Sequence, residues 1–354
     1  MSFGAYNTED QVLSSDAVVS PMWSGDLTTL NTFYTWTSQE IGTLQGQFYL
    51  NVYKDNVAAT QSAETQFSIA YGHISGSGSQ YFNSLVPDKT PTRDVYGQFR
   101  SLIYGDENTS FQFGGSSYTS KDIVVISVSR ARFKESFNPG SLVLNLKSGS
   151  NSLILVDDST VTTTSTYIGS SRVYQLLSGS INSSGNPTPL SGNYTVSGSY
   201  GLMIPDEGLI ILNPRALALA PGALGGINAV FNEFSSSQMA TYFTSNATFN
   251  FNNRMVFGMM NNAPTFSLQS YETISSRYFF TRVKNNEFNY TTNPTIIDSN
   301  GNLLYTQLIY NPQTYITTVG MYNNAGDLLA VAKLNKPLVK DFTKELLLRV
   351  KLDF

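Results

Sequence analysis

The sequence predicts a mainly β protein, built of two or more β-sandwich-like modules with a few short helices. Three observations predict it. Many short segments alternate apolar and polar residues with a period of two, the pattern of half-buried strands. The 21 Tyr and 22 Phe residues supply the bulky side chains that pleated sheets favour. Charged residues make up 13% of the chain, against roughly 25% in ordinary globular domains. Ser, Thr, Asn, Gln and Gly therefore carry most of the polarity between the apolar runs.

The elements follow in order. "GQFYLNVYKD" (46–55) places Phe48, Leu50 and Val52 on one face and Tyr49, Asn51 and Tyr53 on the other. "TQFSIAYGH" (65–73) repeats the plan with Phe67, Ile69 and Tyr71, so both read as strands. The period then changes. Val95, Phe99, Leu102 and Ile103 fall on one helical face. Thr90 suits the N-cap, Pro91 the first turn and Gly105 the stop, so a short helix is expected near 91–104. "KDIVVISVSRARF" (121–133) reads as a strand with a buried middle, and "GSLVLNLKSGSNSLILVDDS" (140–159) as two strands around a Ser148–Asn151 turn. From about 159 to 200, aromatic residues recur within Ser, Thr and Gly, which favours short strands and turns over disorder.

"YGLMIPDEGLIILNPRALAL" (200–219) gives strand, Pro205–Gly208 turn and strand. In 222–243, Val230, Phe231, Phe234 and Met239 are able to share a helical face, while 247–262 returns to short alternation. "RYFFTRVKNNEFNYTTNPTI" (277–296) is a strand followed by an Asn-rich turn. Asn300-Gly301 and Asn323–Gly326 mark turns between further strands. At the end, Leu346, Leu348, Val350, Leu352 and Phe354 alternate with Leu347, Arg349, Lys351 and Asp353. An end this apolar is expected to be held in a sheet, because free ends fray.

No repeat of fixed period appears. Composition shifts divide the chain into 1–120, a β-rich domain carrying the helix; 121–220, a Ser/Gly-rich β module and candidate insertion; and 221–354, a C-terminal β domain.

Composition also excludes chemistry. The net charge is -4 and there is no long basic run, so nucleic acid is not an expected partner. The chain has no cysteine, which removes disulfides, thiolate catalysis and Cys-ligated zinc. The start "MSFGAYNTEDQVL" has neither a basic nor an apolar signal region. No run approaches the ~18 apolar residues of a spanning helix. A soluble product of a cytoplasm, with no membrane insertion, is the expectation.

His73, in "AYGHISGSGSQ" (70–80), is the single histidine. A Ser-His-Asp arrangement has to include it, and sites with two histidines are impossible. The stretch lacks a Gly-x-Ser-x-Gly elbow, and Tyr81 stands where a dinucleotide fingerprint needs its third glycine. His73 is therefore expected to be a hydrogen-bonding residue at a strand end. Asp157-Asp158 and Asp206-Glu207 are the candidate acid pairs for glycoside hydrolysis. Adjacent acids point to opposite faces of a strand and are ordinary in turns. Asp298 and Asn300 resemble part of a calcium loop, but Ile309 occupies the position of its bidentate acid. Arg130, Arg132 and Lys134 are expected on one strand face, as a protected edge or a charged contact to a partner subunit. No catalytic, cofactor-binding or metal-binding residue is assigned, and no enzyme activity or cofactor is expected.

Four segments carry a resemblance: "FSIAYGHISGSGS" (67–79), "TRDVYGQFRSLIYG" (92–105), "YFFTRVKNNEFNYTTNPTI" (278–296) and "YITTVGMYNNAGDLLAVAKLNKPLVKDFTKELLLRVKLDF" (315–354). They resemble virion structural proteins of contractile-tailed bacteriophages. The last is similar to baseplate wedge components of T-even-like phages, which also close on an apolar strand. The resemblance implies a non-enzymatic structural subunit of a phage tail, first of all a baseplate wedge protein. A receptor-binding, fibre-attachment or neck protein is the alternative. It implies other tail and baseplate subunits as partners, self-association, a place in the virion, and no cofactor. The composition is consistent with this, since aromatic anchors in an uncharged polar surround suit large subunit interfaces.

Overall fold

The computed structural model describes residues 8–36, 49–57, 59, 63–77, 91–114, 116–162, 166–190, 194–219, 226–231, 252–291 and 293–353. The fold is mainly β with a few short helices. In chain order the strands are β1 (Gln11–Pro21), β2 (Thr29–Leu30), β3 (Tyr34–Trp36), β4 (Tyr49–Tyr53), β5 (Thr65–His73), β6 (Phe111–Gln112), β7 (Thr119–Ser120), β8 (Asp122–Ser127), β9 (Ser136–Phe137) and β10 (Val143–Ser148). There follow β11 (Asn151–Asp157), β12 (Thr166–Ile168), β13 (Ser171–Ile181), β14 (Pro187–Pro189), β15 (Gly201–Ile204), β16 (Leu209–Leu212) and β17 (Phe266–Ser267). The last are β18 (Gln269–Val283), β19 (Thr314–Tyr322), β20 (Leu328–Lys340) and β21 (Leu346–Asp353). The helices are α1 (Pro91–Tyr104), α2 (Arg130–Phe133), α3 (Pro214–Leu217), α4 (Asn252–Asn261) and α5 (Gln307–Tyr310).

The chain forms two compact units, Val18–Glu272 and Met1–Ala17 with Thr273–Phe354. These do not coincide with the expected divisions at 120 and 220. The larger unit is built on one antiparallel sheet of order β2-β17-β10-β11-β13-β15-β16-β8-β5-β4-β3, with β12 and β14 also paired to β13. Strands from all three expected segments share it. The Ser/Gly-rich module supplies the middle strands of this sheet and joins its neighbours through β8 with β5 and β10 with β17.

Both faces of this sheet are covered, and the sequence of β8 shows why. Val124 and Ile126 enter one core while Ile123 and Val125 enter the other, all four buried. Ile126 lies opposite Ile69 of β5 and Ile210 of β16. Phe266, near one end of the strand order, packs on Phe67, near the other, with ring centroids 5.2 Å apart. Trp23 sits 4.9 Å from Phe266 and donates its Nε1–H to the Phe266 carbonyl at 3.1 Å. The sheet therefore curls on itself around an aromatic centre. α4 adds Val256, Met259 and Met260 to the same core.

The second core lies under α1. Tyr96 and Ile103 are buried there with Ile123, Val125, Leu202 and Ile211. The expected helix forms over 91–104 and stops at Gly105, whose φ is +67°. Thr90 lies outside the described residues. The helix is rotated from the expected face: Tyr96 is buried, Val95 only half-buried, and Leu102 exposed. The reason is polar. The Tyr96 hydroxyl donates to the Ser120 carbonyl at 2.8 Å and accepts from the Phe111 amide at 3.1 Å, so a tyrosine suits the buried face. Gly72 permits the approach, since a Cβ there would stand 2.8 Å from the Tyr96 backbone nitrogen.

Other expectations are corrected. The strand expected over 121–133 ends at Ser127, and Arg130–Phe133 turns into α2 to bury Phe133 against Phe137, centroids 5.3 Å apart. Of the alternation expected in 247–262, residues 252–261 form a helix, because Val256, Met259 and Met260 bury at i, i+3 and i+4, and 247–251 lie outside the described residues. Asn300-Gly301 closes an Asx turn on Asp298, spanned by a single bridge between Ile297 and Leu303 and not by a strand pair. Residues 226–231 are irregular, and the rest of the helix considered over 222–243 lies outside the described residues, as does Phe354.

In the smaller unit, Ser276–Val283 of β18 pairs antiparallel with β21, from Ser276 opposite Asp353 to Val283 opposite Leu346. Leu348 and Val350 bury beside Phe279 and Val283, and Leu347 is exposed, as the closing alternation predicts. These four are the buried apolar side chains among the described residues of this unit. Lys340 is fully buried. Its ammonium donates to the Asn285 carbonyl at 3.0 Å, Asn289 Oδ1 at 2.7 Å and the Asp341 carbonyl at 2.9 Å. Three acceptors saturate its three donors, which is what a buried ammonium requires.

Two outcomes follow for stability. Phe266→Ala removes the ring that Trp23 and Phe67 share, and is expected to cost about 3–5 kcal/mol in chemical denaturation of the larger unit. Lys340→Met leaves two buried acceptors, Asn289 Oδ1 and the Asp341 carbonyl, and the part-buried Asn285 carbonyl without their donor, at about 1–3 kcal/mol for each buried one. Hydrogen exchange should then accelerate across 285–289 and leave the larger unit unchanged.

Candidate functional site

The described residues bring one cluster of buried ionisable groups together, on β5, β8 and α3. Asp122 opens β8 directly opposite His73, the last residue of β5, and Tyr71 lies two residues back on the same face. Asp122 is fully buried. Its Oδ2 accepts from the Tyr71 hydroxyl at 3.2 Å, and its Oδ1 stands 3.4 Å from Arg215 Nε. Arg215 is placed by α3, a single turn capped by Asn213. The Asn213 side chain accepts from the amides of Arg215 and Ala216, and Pro214 begins the turn.

Burial raises the Asp122 pKa, and the Arg215 cation and Tyr71 hydroxyl oppose that rise. The Tyr71 hydroxyl is pushed well above its ordinary range, first by burial and then by the adjacent Asp122 carboxylate. His73 is lowered to about 4, by burial first and then by the cations Arg215 and Lys121. Its Nδ1 accepts from the amides of Ser75 at 3.2 Å and Ser77 at 3.3 Å. That fixes the neutral tautomer with hydrogen on Nε2 and leaves Nδ1 engaged in holding the Gly-Ser loop. Such a histidine is placed to fix a strand end, as its sequence context predicts. Ser75 Oγ lies 3.0 Å from the same nitrogen.

The other candidates do not join this cluster. Asp157 is buried, and its carboxylate accepts from the amides of Gly140, Leu142 and Ser159. Asp158 accepts from the Gln175 amide at 2.9 Å and the Thr162 hydroxyl at 3.0 Å, and burial raises its pKa. Both clasp loops to β13 and β10. Asp206 pairs with Arg172 at 2.8 Å, while Glu207 is exposed on the same turn. Asp298 accepts from the amides of Asn300 and Asn302 in its own loop, and Ile309 lies on α5, exposed. Among the described residues no group of three or more His, Asp or Glu side chains could hold a metal ion.

The three cations expected on one strand face go three ways, because α2 winds where a strand was expected. Arg132 pairs with Glu64 at 3.0 Å and donates to the Thr65 carbonyl at 2.6 Å. Lys134 pairs with Glu272 at 2.7 Å. Arg130 lies 5.5 Å over the Phe133 ring and donates to the Asp206 carbonyl.

Sequence reasoning missed Asp122 and Arg215. One signal was available: an acid immediately before the apolar run Ile123–Ile126 has to be buried and paired once that run is central in a sheet. The paired partner lies ninety-odd residues away and leaves no mark in local pattern. The arrangement ties β5, β8 and α3 by charge and hydrogen bonds, at a point where a buried carboxylate needs every partner it has.

No family model matches the chain, and neither a curated protein nor a solved structure is similar to it at a significant level.

The histidine gives a pH test. Its folded pKa lies below its unfolded value, so between pH 6.5 and about 4 the unfolded state binds the extra proton. Stability is full above pH 6.5 and falls as pH drops through that window. The raised pKa of Asp122 acts in the opposite sense, so the comparison has to isolate His73. His73→Asn keeps an acceptor for the loop amides and removes the titration. Denaturation midpoints measured across the window should fall more steeply in the wild type than in this variant, by an amount of order 1–3 kcal/mol at the acid end.

Proposed function

We propose that this chain is a structural subunit of a bacteriophage tail, a baseplate wedge protein that works by packing against other subunits. The observation that carries the reading is the smaller unit. Its described residues bury four apolar side chains, each worth roughly 1.5–3 kcal/mol, a small core for so long a segment. It exposes Tyr290, Tyr305, Tyr310, Tyr315, Leu329 and Phe342 among others. Exposed aromatic and aliphatic surface on this scale marks interaction sites in soluble proteins, and Tyr is enriched in interface cores.

The stretch that carries the resemblance to baseplate wedge components, 315–354, presents much of that surface. The low charge supports the same reading, because uncharged Ser, Thr and Asn hydrogen-bond across an interface without the cost of desolvating ions. The buried Asp122 cluster fits a subunit that has to hold its shape under load. It places its ionisable groups on each other.

Mass spectrometry of purified tails, freed of heads, tests the reading. Peptides of this chain should be present in fixed ratio to the other tail proteins, and Tyr310 and Tyr315 should be protected from surface labelling in the tail but not in the isolated chain. Absence of the chain from purified tails overturns it.

A further inference from the structure

We propose that two copies of this chain join through β19, antiparallel about a two-fold axis at Thr318, to make a continuous sheet of order β20-β19-β19-β20. The inference rests on the reading of the chain as an assembly subunit, and it names one partner and the strand that meets it.

Among the described residues β19 has one strand partner, β20. A strand with one free edge offers amides and carbonyls to another strand, and proteins ordinarily blunt such edges with charge, proline or bulges. β20 carries these devices in Lys333, Lys336 and Pro337. Both irregularities in the ladder also fall on it. Residues 334–337 bulge opposite Thr317, and Leu329 is the extra residue beside Tyr322. β21 carries Arg349, Lys351 and Asp353. β19, "TYITTVGMY", has no charge, no proline and no bulge of its own. Five of its nine residues are β-branched, the composition that pleated pairing favours.

The absence of charge also selects the partner. In a two-fold interface each residue meets the same surface of its own copy, and like charges placed opposite each other destabilise the pair. A charged edge is complementary to some other chain; an uncharged edge of this kind is complementary to itself. Pairing centred on Thr318 sets Tyr315 opposite Met321, Ile316 opposite Gly320 and Thr317 opposite Val319. Each large side chain then meets a flexible or small one. The flanking surface has to be covered as well: Tyr315 is 62%, Leu329 68% and Val331 51% exposed. By the register of the hairpin Tyr315 lies on one face, while Leu338, Val331 and Leu328, opposite Ile316, Gly320 and Tyr322, lie on the other, so both faces bring exposed apolar side chains to the joint.

The chain has no cysteine, so single cysteines report on this geometry without background. The experiment uses the full chain, with light scattering for mass and mild oxidation of Tyr315→Cys, Thr318→Cys and Met321→Cys. Equivalent residues separate by about 3.4 Å per position on each strand away from the axis. A dimer is expected, with disulfide yield highest for Thr318→Cys and at least fivefold lower for the other two alone. Mixing Tyr315→Cys with Met321→Cys should restore the yield, because these positions face each other. Thr318→Glu should shift the chain to monomer while Thr318→Asn leaves it dimeric.

A monomeric wild-type chain overturns the proposal. So does a dimer whose cross-linking does not peak at Thr318. Either result leaves the assembly reading standing if the chain is found in purified tails. A β19 dimer absent from purified tails sinks that reading instead.

Discussion

The contact on which the larger unit depends is the one between Phe67 and Phe266. These rings come from β5 and β17, far apart in the strand order. Without a reason to meet, so long an antiparallel sheet would lie open and present two apolar faces to water. The meeting of the rings, with Trp23 hydrogen-bonded to the Phe266 backbone, curls the sheet and gives one face an inside. α4 fills the remaining volume, and α1 closes the other face through Tyr96. The near-continuous apolar runs of β8, β15 and β16 are consequences, since strands covered on both faces have no side left for polar residues.

Polar groups inside this frame are few and placed where elements end. Asp157 at the end of β11, Asp158 after it and Asn213 before α3 each accept from more than one donor, and Asp122 at the start of β8 takes the Tyr71 hydroxyl and the Arg215 cation. A buried carboxylate is costly alone and specific when paired. These residues fix which loop meets which strand end, which apolar packing does not distinguish. His73 belongs to the same class: neutral, buried and occupied by the amides of its own loop.

The smaller unit follows a different economy. Its polar lock at Lys340 is as complete as any in the larger unit, yet its apolar surface faces outward. A hairpin of two strands is marginal by itself in water. The smaller unit thus combines a finished polar lock with unfinished apolar packing. The proposed role as a tail component and the proposed β19 pairing both answer that same deficit.

Much of this was legible in sequence. The period of two in 65–73, 140–159 and 346–354 placed β5, β10, β11 and β21, because alternation follows directly from the pleat. The helix at 91–104 was legible from its spacing and from Pro91 and Gly105. What local pattern did not carry was decided by long-range contact. Arg130–Phe133 became helical to bury Phe133, and 252–261 became helical because its methionines had a core to fill. Asp122 found Arg215 across the fold. The sequence by itself determined that this is a β protein with little charge and one histidine, since those follow from residue type and period. Only the tertiary structure decided that the Ser/Gly-rich middle is the centre of one curled sheet, and that the C-terminal unit leaves its apolar residues exposed. Both depend on which distant surfaces meet, and no local preference encodes that.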